Sequence, residues 1–359
     1  LRSQTHRDET AMTDWFERLT GFRELDYEAT RERLAVEGDV LVSRVSGQRW
    51  GIGRLEVPTL GALRARAKSS GSSAGRTTLA AEVGEARALH ADPRFAGALF
   101  QVASQFNLLE MIGPEITPEH GVTRYAEDGT QGPACAMGAG AATIYRNYFV
   151  PVCDAVGVHI GQRHDRQIDG LQALGAALAQ RLDRPVSALW TMRNGYALAS
   201  RDGLTAIAAH LMDCSEAERD ALRALLAIGM QHSAQVTDLD PARARINVSQ
   251  AFCSALPLGY STLPAALWAP LARLVLEAAY EATLRAGIAQ AAAGGSNIVL
   301  LTRVGGGAFG NPDAWIDAAI HRALALDDIA GAGLDVRLVC FRWIDEATRR
   351  LVAAHGAAL

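Results

Sequence analysis

Apolar and polar positions along this chain repeat with two different spacings, and the switches between them predict its elements. Helical spacing marks 15–34, 168–182, 204–212 and 268–288; in the last of these Leu271, Leu274, Val275, Ala278, Ala282 and Ile288 share one face. Short apolar or β-branched runs predict strands at 96–104, 227–236, 246–256, 298–301 and 335–343, with strand-like stretches at 155–160 and 188–199. Near the start, 39–45 and 49–55 read as a strand pair turned at Gly47. Further helices are expected over 141–149 and 345–354. Strands alternating with helices predict an α/β fold, a mixed or largely parallel sheet covered on both faces, with ligands at the carboxyl ends of strands.

Two places break the pattern in the same way. After the strand 298–301 the chain runs through TRVGGGAFGNP, and a helix is expected to restart at Pro312, which suits a first helical turn. Gly305, Gly306 and Gly307 can adopt backbone angles barred to other residues. The first amides of the helix that follows have no partner within it, so an anion at this turn meets donors already aimed at it. A diphosphate is the natural guest; a tight turn without ligand is the alternative reading. The strand 96–104 likewise ends at Gln105, Phe106 and Asn107, and a long loop runs through Pro114, Pro118, Gly121 and Gly129 to a second small-residue stretch, GTQGPACAMGAGA. A loop of that length inside a compact domain is usually functional.

Composition narrows the class. With 359 residues, 49% hydrophobic and 21% charged, the chain is an ordinary globular protein with ample material for a core. Its net charge of −4 supplies no global field for nucleic acid or an anionic membrane, and neither is expected as a partner. The five cysteines are scattered without metal or disulfide spacing, which favours a reducing compartment, the cytoplasm. Residues 1–11 are polar, so no secretory signal is expected there, and KSSGSSAGRT at 68–77 reads as a linker. His159, His164 and His232 lack ligand spacing, so no metal is expected, and no cofactor is either.

Residues 280–323 resemble the closing half of a macrodomain, the module that binds ADP-ribose. The matching parts are YEATL, then SNIVLL, then GGGAFGNP in the place of the family's S-T-G-[IV]-[FY]-G-Y-P loop, then the helix WIDAAIHRA. Upstream, FQVASQFNLLE resembles the strand bearing the family's N-A-A-N motif, and QGPACAMGAGAATIYRNYF occupies the slot of the next glycine loop and helix. The resemblance implies a three-layer α/β/α sandwich over 96–359, an insertion at about 152–245, and an N-terminal appendage of helix, strand pair and linker over 1–95. It implies that Asn107 contacts the distal ribose. Gly132, Ala134, Cys135 and Ala136, with Gly305, Gly306, Gly307, Ala308, Gly310 and Asn311, would wrap the diphosphate, and Phe309 would lie against ribose or phosphate. Gln250 is placed to reach a ligand edge that its strand neighbour Cys253 does not. The chain departs from the family where Thr130-Gln131-Gly132-Pro133 replaces a glycine triplet and Asn311 replaces a tyrosine. These features look most like the divergent macrodomains that remove ADP-ribose from arginine side chains.

By that resemblance the chemistry is cleavage at the anomeric carbon of the distal ribose in an ADP-ribosylated protein. A carboxylate there stabilises oxocarbenium character or activates water. The long loop supplies Glu110, Glu119, Glu127 and Asp128; Asp128 and then Glu127 are preferred because they directly precede the glycines. Gln131 orients water or the leaving group, or is a plain turn residue. Two alternatives share the same loops: a reader that binds ADP-ribose without cleaving it, and a hydrolase of free ADP-ribose derivatives. A dinucleotide-dependent dehydrogenase is disfavoured, because G-x-G-x-x-G after an early strand is missing.

Overall fold

The computed structural model describes residues 14–69, 75–154, 156–238 and 245–355. Seven strands form its central sheet: β1 (Arg54–Glu56), β2 (Thr78–Val83), β3 (Leu99–Ala103), β4 (Gly229–Gln235), β5 (Asn247–Cys253), β6 (Ile298–Leu301) and β7 (Asp335–Cys340). Their order is β1-β4-β5-β3-β6-β7-β2. From β5 to β2 every neighbour is parallel, whereas β4 runs antiparallel to both β5 and β1, so the sheet is mixed.

Alternation along the strands divides the interior into two cores. Leu99, Ala251, Cys253, Val299 and Leu301 face one side, packed against the helices Leu60–Ser69, Arg201–Asp213, Ala265–Ala292 and Asp313–Leu324. Phe100, Val248, Phe252 and Leu300 face the other, where Leu89 and Cys135 come from Ala86–His90 and Gln131–Gly138. Helix, sheet and helix therefore make a three-layer α/β/α sandwich, with the parallel strands buried on both faces. A third apolar cluster gathers Trp15, Phe16 and Leu41 from the N-terminal segment with Tyr125, Ile144 and Tyr148.

The structure departs from the expected layout in the less regular segments. The helix expected over 15–34 is two, Trp15–Thr20 and Tyr27–Glu32, parted at Gly21, whose φ of 79° ends the first. The described part of the segment 1–95 supplies β1 and β2, the two edge strands of the central sheet. Of the linker expected at 68–77, residues 68–69 end the helix Leu60–Ser69 and 70–74 lie outside the described residues. Among the described residues of the expected insertion, only β4 joins the main sheet. The stretch 188–199 is instead a separate hairpin, Trp190–Arg193 with Tyr196–Ala199, turned at Asn194 and Gly195, whose φ values of 47° and 78° suit a two-residue hairpin turn. Likewise Val158–Ile160 pairs only with Pro151–Cys153. Among the described residues no helix is long and apolar enough to cross a membrane.

Candidate functional site

Neighbouring strands β3 and β6 end side by side, so the loops that follow them open at one edge of the sheet. A cavity of about 170 Å³ lies between those loops, and its wall includes Gly132 and Pro133 from the first with Gly305, Gly307, Ala308 and Phe309 from the second. Both small-residue turns therefore border one cleft.

Close backbone approach explains the glycines. A Cβ at Gly132 would fall 2.0 Å from the carbonyl oxygen of Ala103, so only glycine lets the helix Gln131–Gly138 seat on the end of β3. Gly305 has a φ of 79°, and its Cβ would meet Ala255 at 2.4 Å. The second turn is held from outside the cavity. Asn311 donates through Nδ2 to the carbonyls of Leu256 (2.9 Å) and Gly305 (3.1 Å), and the buried Tyr280 hydroxyl donates to Thr302 O (2.7 Å) while accepting from Val304 N–H (3.0 Å).

The sequence candidates separate into two groups. Asp128 lines the cavity, and its Oδ1 accepts from Thr130 N–H at 2.8 Å. Gln131 also lines it, yet both ends of its amide are engaged: Oε1 accepts from Ala103 N–H and Nε2 donates to Gln101 O, each at 3.0 Å, extending the hydrogen bonding of β3. Glu127 points away, 62% exposed and paired with Arg124 at 3.4 Å. Asn107, Ala134, Cys135, Ala136, Gln250, Gly306, Gly310 and Asn311 are not part of the cavity wall. Asn107 is fully buried, donating to Gln167 Oε1 (2.9 Å) and accepting from Leu109 N–H (3.1 Å), so its polar atoms serve the loop and not the cleft. Gln250 lies beneath the helix Gln131–Gly138, its Nε2 within 3.0 Å of Cys135 O and 3.1 Å of His90 Nε2.

The structure singles out a carboxyl that the sequence offers among the loop acids but does not favour. Glu110 lines the cavity while its side chain is fully buried. Burial pushes its pKa up to about 7, against the pull of Arg146, whose Nη2 lies 3.4 Å from Oε1. Arg146 is itself buried and its pKa lowered by that burial, so loss of solvent outweighs attraction at both partners. Its guanidinium donates to Leu108 O (3.0 Å) and Thr143 Oγ1 (3.1 Å) and sits 3.8 Å from the Phe252 ring centroid. Leu108 holds a φ of 65°, an uncommon angle for a side-chain-bearing residue, two positions before the acid. The signal was an acid inside the apolar run Leu108, Leu109, Met111.

Aromatic residues complete the wall. Tyr196, from the hairpin in the expected insertion, packs 5.3 Å from Phe309 and 5.1 Å from Tyr260 between ring centroids. Its hydroxyl donates to Met111 O at 2.7 Å, tying that hairpin to the loop that carries Glu110.

No family model matches this chain, and no curated protein matches it. Among solved structures it is similar to poly(ADP-ribose) glycohydrolase from Deinococcus radiodurans in complex with ADP-ribose, at 13% identity and a TM-score of 0.41, over 84% of this chain and 94% of that one. It is also similar to poly(ADP-ribose) glycohydrolase from Thermomonospora curvata, at 15% identity and a TM-score of 0.42, over 91% of this chain and 95% of that one. Likeness this remote does not by itself assign an activity. It does correct one expectation: these structures are poly(ADP-ribose) glycohydrolases, not arginine-directed ADP-ribosylhydrolases, and without a matching family model the placement in the arginine-directed macrodomain group is withdrawn.

Proposed function

We propose that the cleft binds ADP-ribose and that the protein hydrolyses the glycosidic bond at the anomeric carbon of its terminal ribose, acting on ADP-ribose carried by a protein or polymer. The observation that carries this reading is a buried carboxyl with its pKa raised to about 7, set in a cavity between two glycine turns. A carboxyl titrating there keeps a substantial protonated fraction near neutral pH, as a general acid requires. Glu110 is assigned to donate a proton to the leaving group. Asp128, on the same wall, is assigned to position water or to stabilise positive charge developing at the anomeric carbon. Negative phosphate is matched by the N-terminal turn of the helix Gln131–Gly138, whose Gln131 and Gly132 line the cavity together with the second glycine turn.

Size supports a division of the ligand. Drug-sized ligands occupy pockets of roughly 300–1,000 Å³, so a cavity of about 170 Å³ takes part of ADP-ribose and leaves the rest to extend beyond it. Phe341 and Trp343, 59% and 70% exposed, follow β7 at the same edge of the sheet, beside β6, and offer stacking faces for adenine.

The test measures ADP-ribose released from an ADP-ribosylated protein and, separately, from poly(ADP-ribose), with binding of free ADP-ribose followed by calorimetry. Replacing Glu110 by Gln is expected to slow release by about 10²–10⁴-fold while ADP-ribose still binds. Normal turnover by that variant removes Glu110 from the mechanism. A parent protein that binds ADP-ribose without releasing it from either substrate is a reader.

A further inference from the structure

We infer that Glu24 and Trp15, from the N-terminal segment that lies outside the macrodomain resemblance, are positioning residues for the Glu110 carboxyl. The inference rests on Glu110 being the acid of the proposed hydrolysis. Between Glu110 and the first glycine turn, the loop makes a short 3₁₀ helix, Thr123–Glu127, that carries Tyr125 and is followed at once by Asp128. Tyr125 is buried, and its hydroxyl accepts from Glu110 N–H at 3.0 Å. Wherever this short helix sits, both acids of the cleft follow.

Its start is gripped from outside the loop. The Glu24 carboxylate accepts from Val122 N–H (2.8 Å) and Thr123 N–H (2.7 Å), and its Oε1 accepts from the Tyr148 hydroxyl (2.9 Å). Trp15 donates through Nε1 to Thr123 O at 3.1 Å, so one residue is restrained at both its N–H and its carbonyl. The approach is close enough to dictate sequence: a Cβ at Gly121, whose φ is 79°, would fall 2.4 Å from Glu24 Oε2. Burial raises the Glu24 pKa while these donors oppose the rise, as expected of a carboxylate committed to backbone amides. A turn over a catalytic loop has no need of a buried acid from a separate segment. Fixing the orientation of Tyr125 and Asp128 does.

The experiment compares Glu24→Gln and Trp15→Phe with the exposed control Glu37→Gln. Each is read by kcat, KM and the titration midpoint of the Glu110 carboxyl, followed by carbon-13 NMR of the full chain. Gln at position 24 turns a donor toward amides that need an acceptor, and Phe at position 15 keeps the packing while losing the bond to Thr123. Both clamp variants are expected to lower kcat by about tenfold to a hundredfold with KM nearly unchanged. Their Glu110 midpoints should drop toward the ordinary carboxyl value as water reaches the loosened site, with Arg146 and Tyr125 still facing the group. The control should move none of the three. Unchanged kcat and midpoint in a folded Trp15→Phe protein overturn the inference, and this variant decides alone if Glu24→Gln does not fold. Should the parent show no hydrolysis, the midpoint still reads the clamp, so failure of the proposed activity and failure of the positioning role are told apart.

Discussion

Replacing Glu110 by Gln should change how stability depends on pH in a way fixed by the burial of the group. In the folded protein the carboxyl titrates near 7, whereas its ordinary value is 4.5. Below 4.5 both folded and unfolded chains hold the proton; between 4.5 and 7 only the folded chain does; above 7 neither does. Stability arising from this group is therefore fully present at low pH and is lost as pH rises through 7. A difference of 2.5 pH units (7 minus 4.5) corresponds to about 3 kcal/mol. Gln keeps the shape and loses the proton equilibrium, so urea unfolding of parent and variant at pH 4, 5, 6, 7 and 8 isolates the contribution. Relative to the variant, the parent should lose about 3 kcal/mol between pH 4 and 8, most of it between 5 and 7. A flat difference curve refutes the assignment of a raised pKa, and a parent that gains on the variant with rising pH means that Arg146 holds the carboxylate ionised.

Further outcomes follow from the same geometry. Activity should fall as pH rises through about 7, because the proton donor is lost there; a rate that keeps climbing past pH 8 contradicts Glu110 as the acid. Asp128→Ala should depress release strongly, whereas Glu127→Ala should leave it near the parent rate, since that side chain faces solvent. Trp343→Ala should weaken ADP-ribose binding by about 1–3 kcal/mol, the range for stacking of one base, as read by calorimetry. Away from the cleft, the buried Glu281 accepts from Arg64 (2.6 Å), Arg285 (2.8 Å) and Arg322 (3.0 Å), and its pKa is lowered to about 2 with those donors outweighing burial. Glu281→Ala should cost about 3–5 kcal/mol of stability at neutral pH by stranding buried arginine charge, and the loss should shrink as pH falls toward 2, where the parent's carboxylate is protonated.

What the sequence exposed and what it concealed divide along physical lines. The helix Ala265–Ala292 and strands β3, β5 and β6 were legible because long apolar faces and short apolar runs each carry one strong period. The turn at Gly305 and the close approach at Gly132 were legible because few residues tolerate such geometry. By contrast β1 is three residues, RLE, and becomes a strand only by pairing with β4, a partner far along the chain. Strand-like runs at 155–160 and 188–199 have the right composition, but composition does not say which sheet a strand joins. Within the site, Asp128 and Glu127 adjoin in sequence and point in different directions, which only the fold decides. Asn107 and Gln250 carry the right chemistry for a ligand, yet Gln167 and Leu109 already occupy the polar atoms of the first, and the second is buried with its Nε2 committed to Cys135 O. Glu110 escaped preference because its raised pKa comes from burial and from Arg146, whose approach depends on the fold.

The central claim, that the two glycine turns together hold the pyrophosphate of ADP-ribose, is tested most directly by adding ADP-ribose to the full-length protein while following backbone amide shifts by NMR. Saturable shifts centred on both Gln131 to Gly132 and Gly305 to Phe309, with the same midpoint, are the predicted result. Shifts confined to one turn, or none at millimolar ADP-ribose, would contradict it.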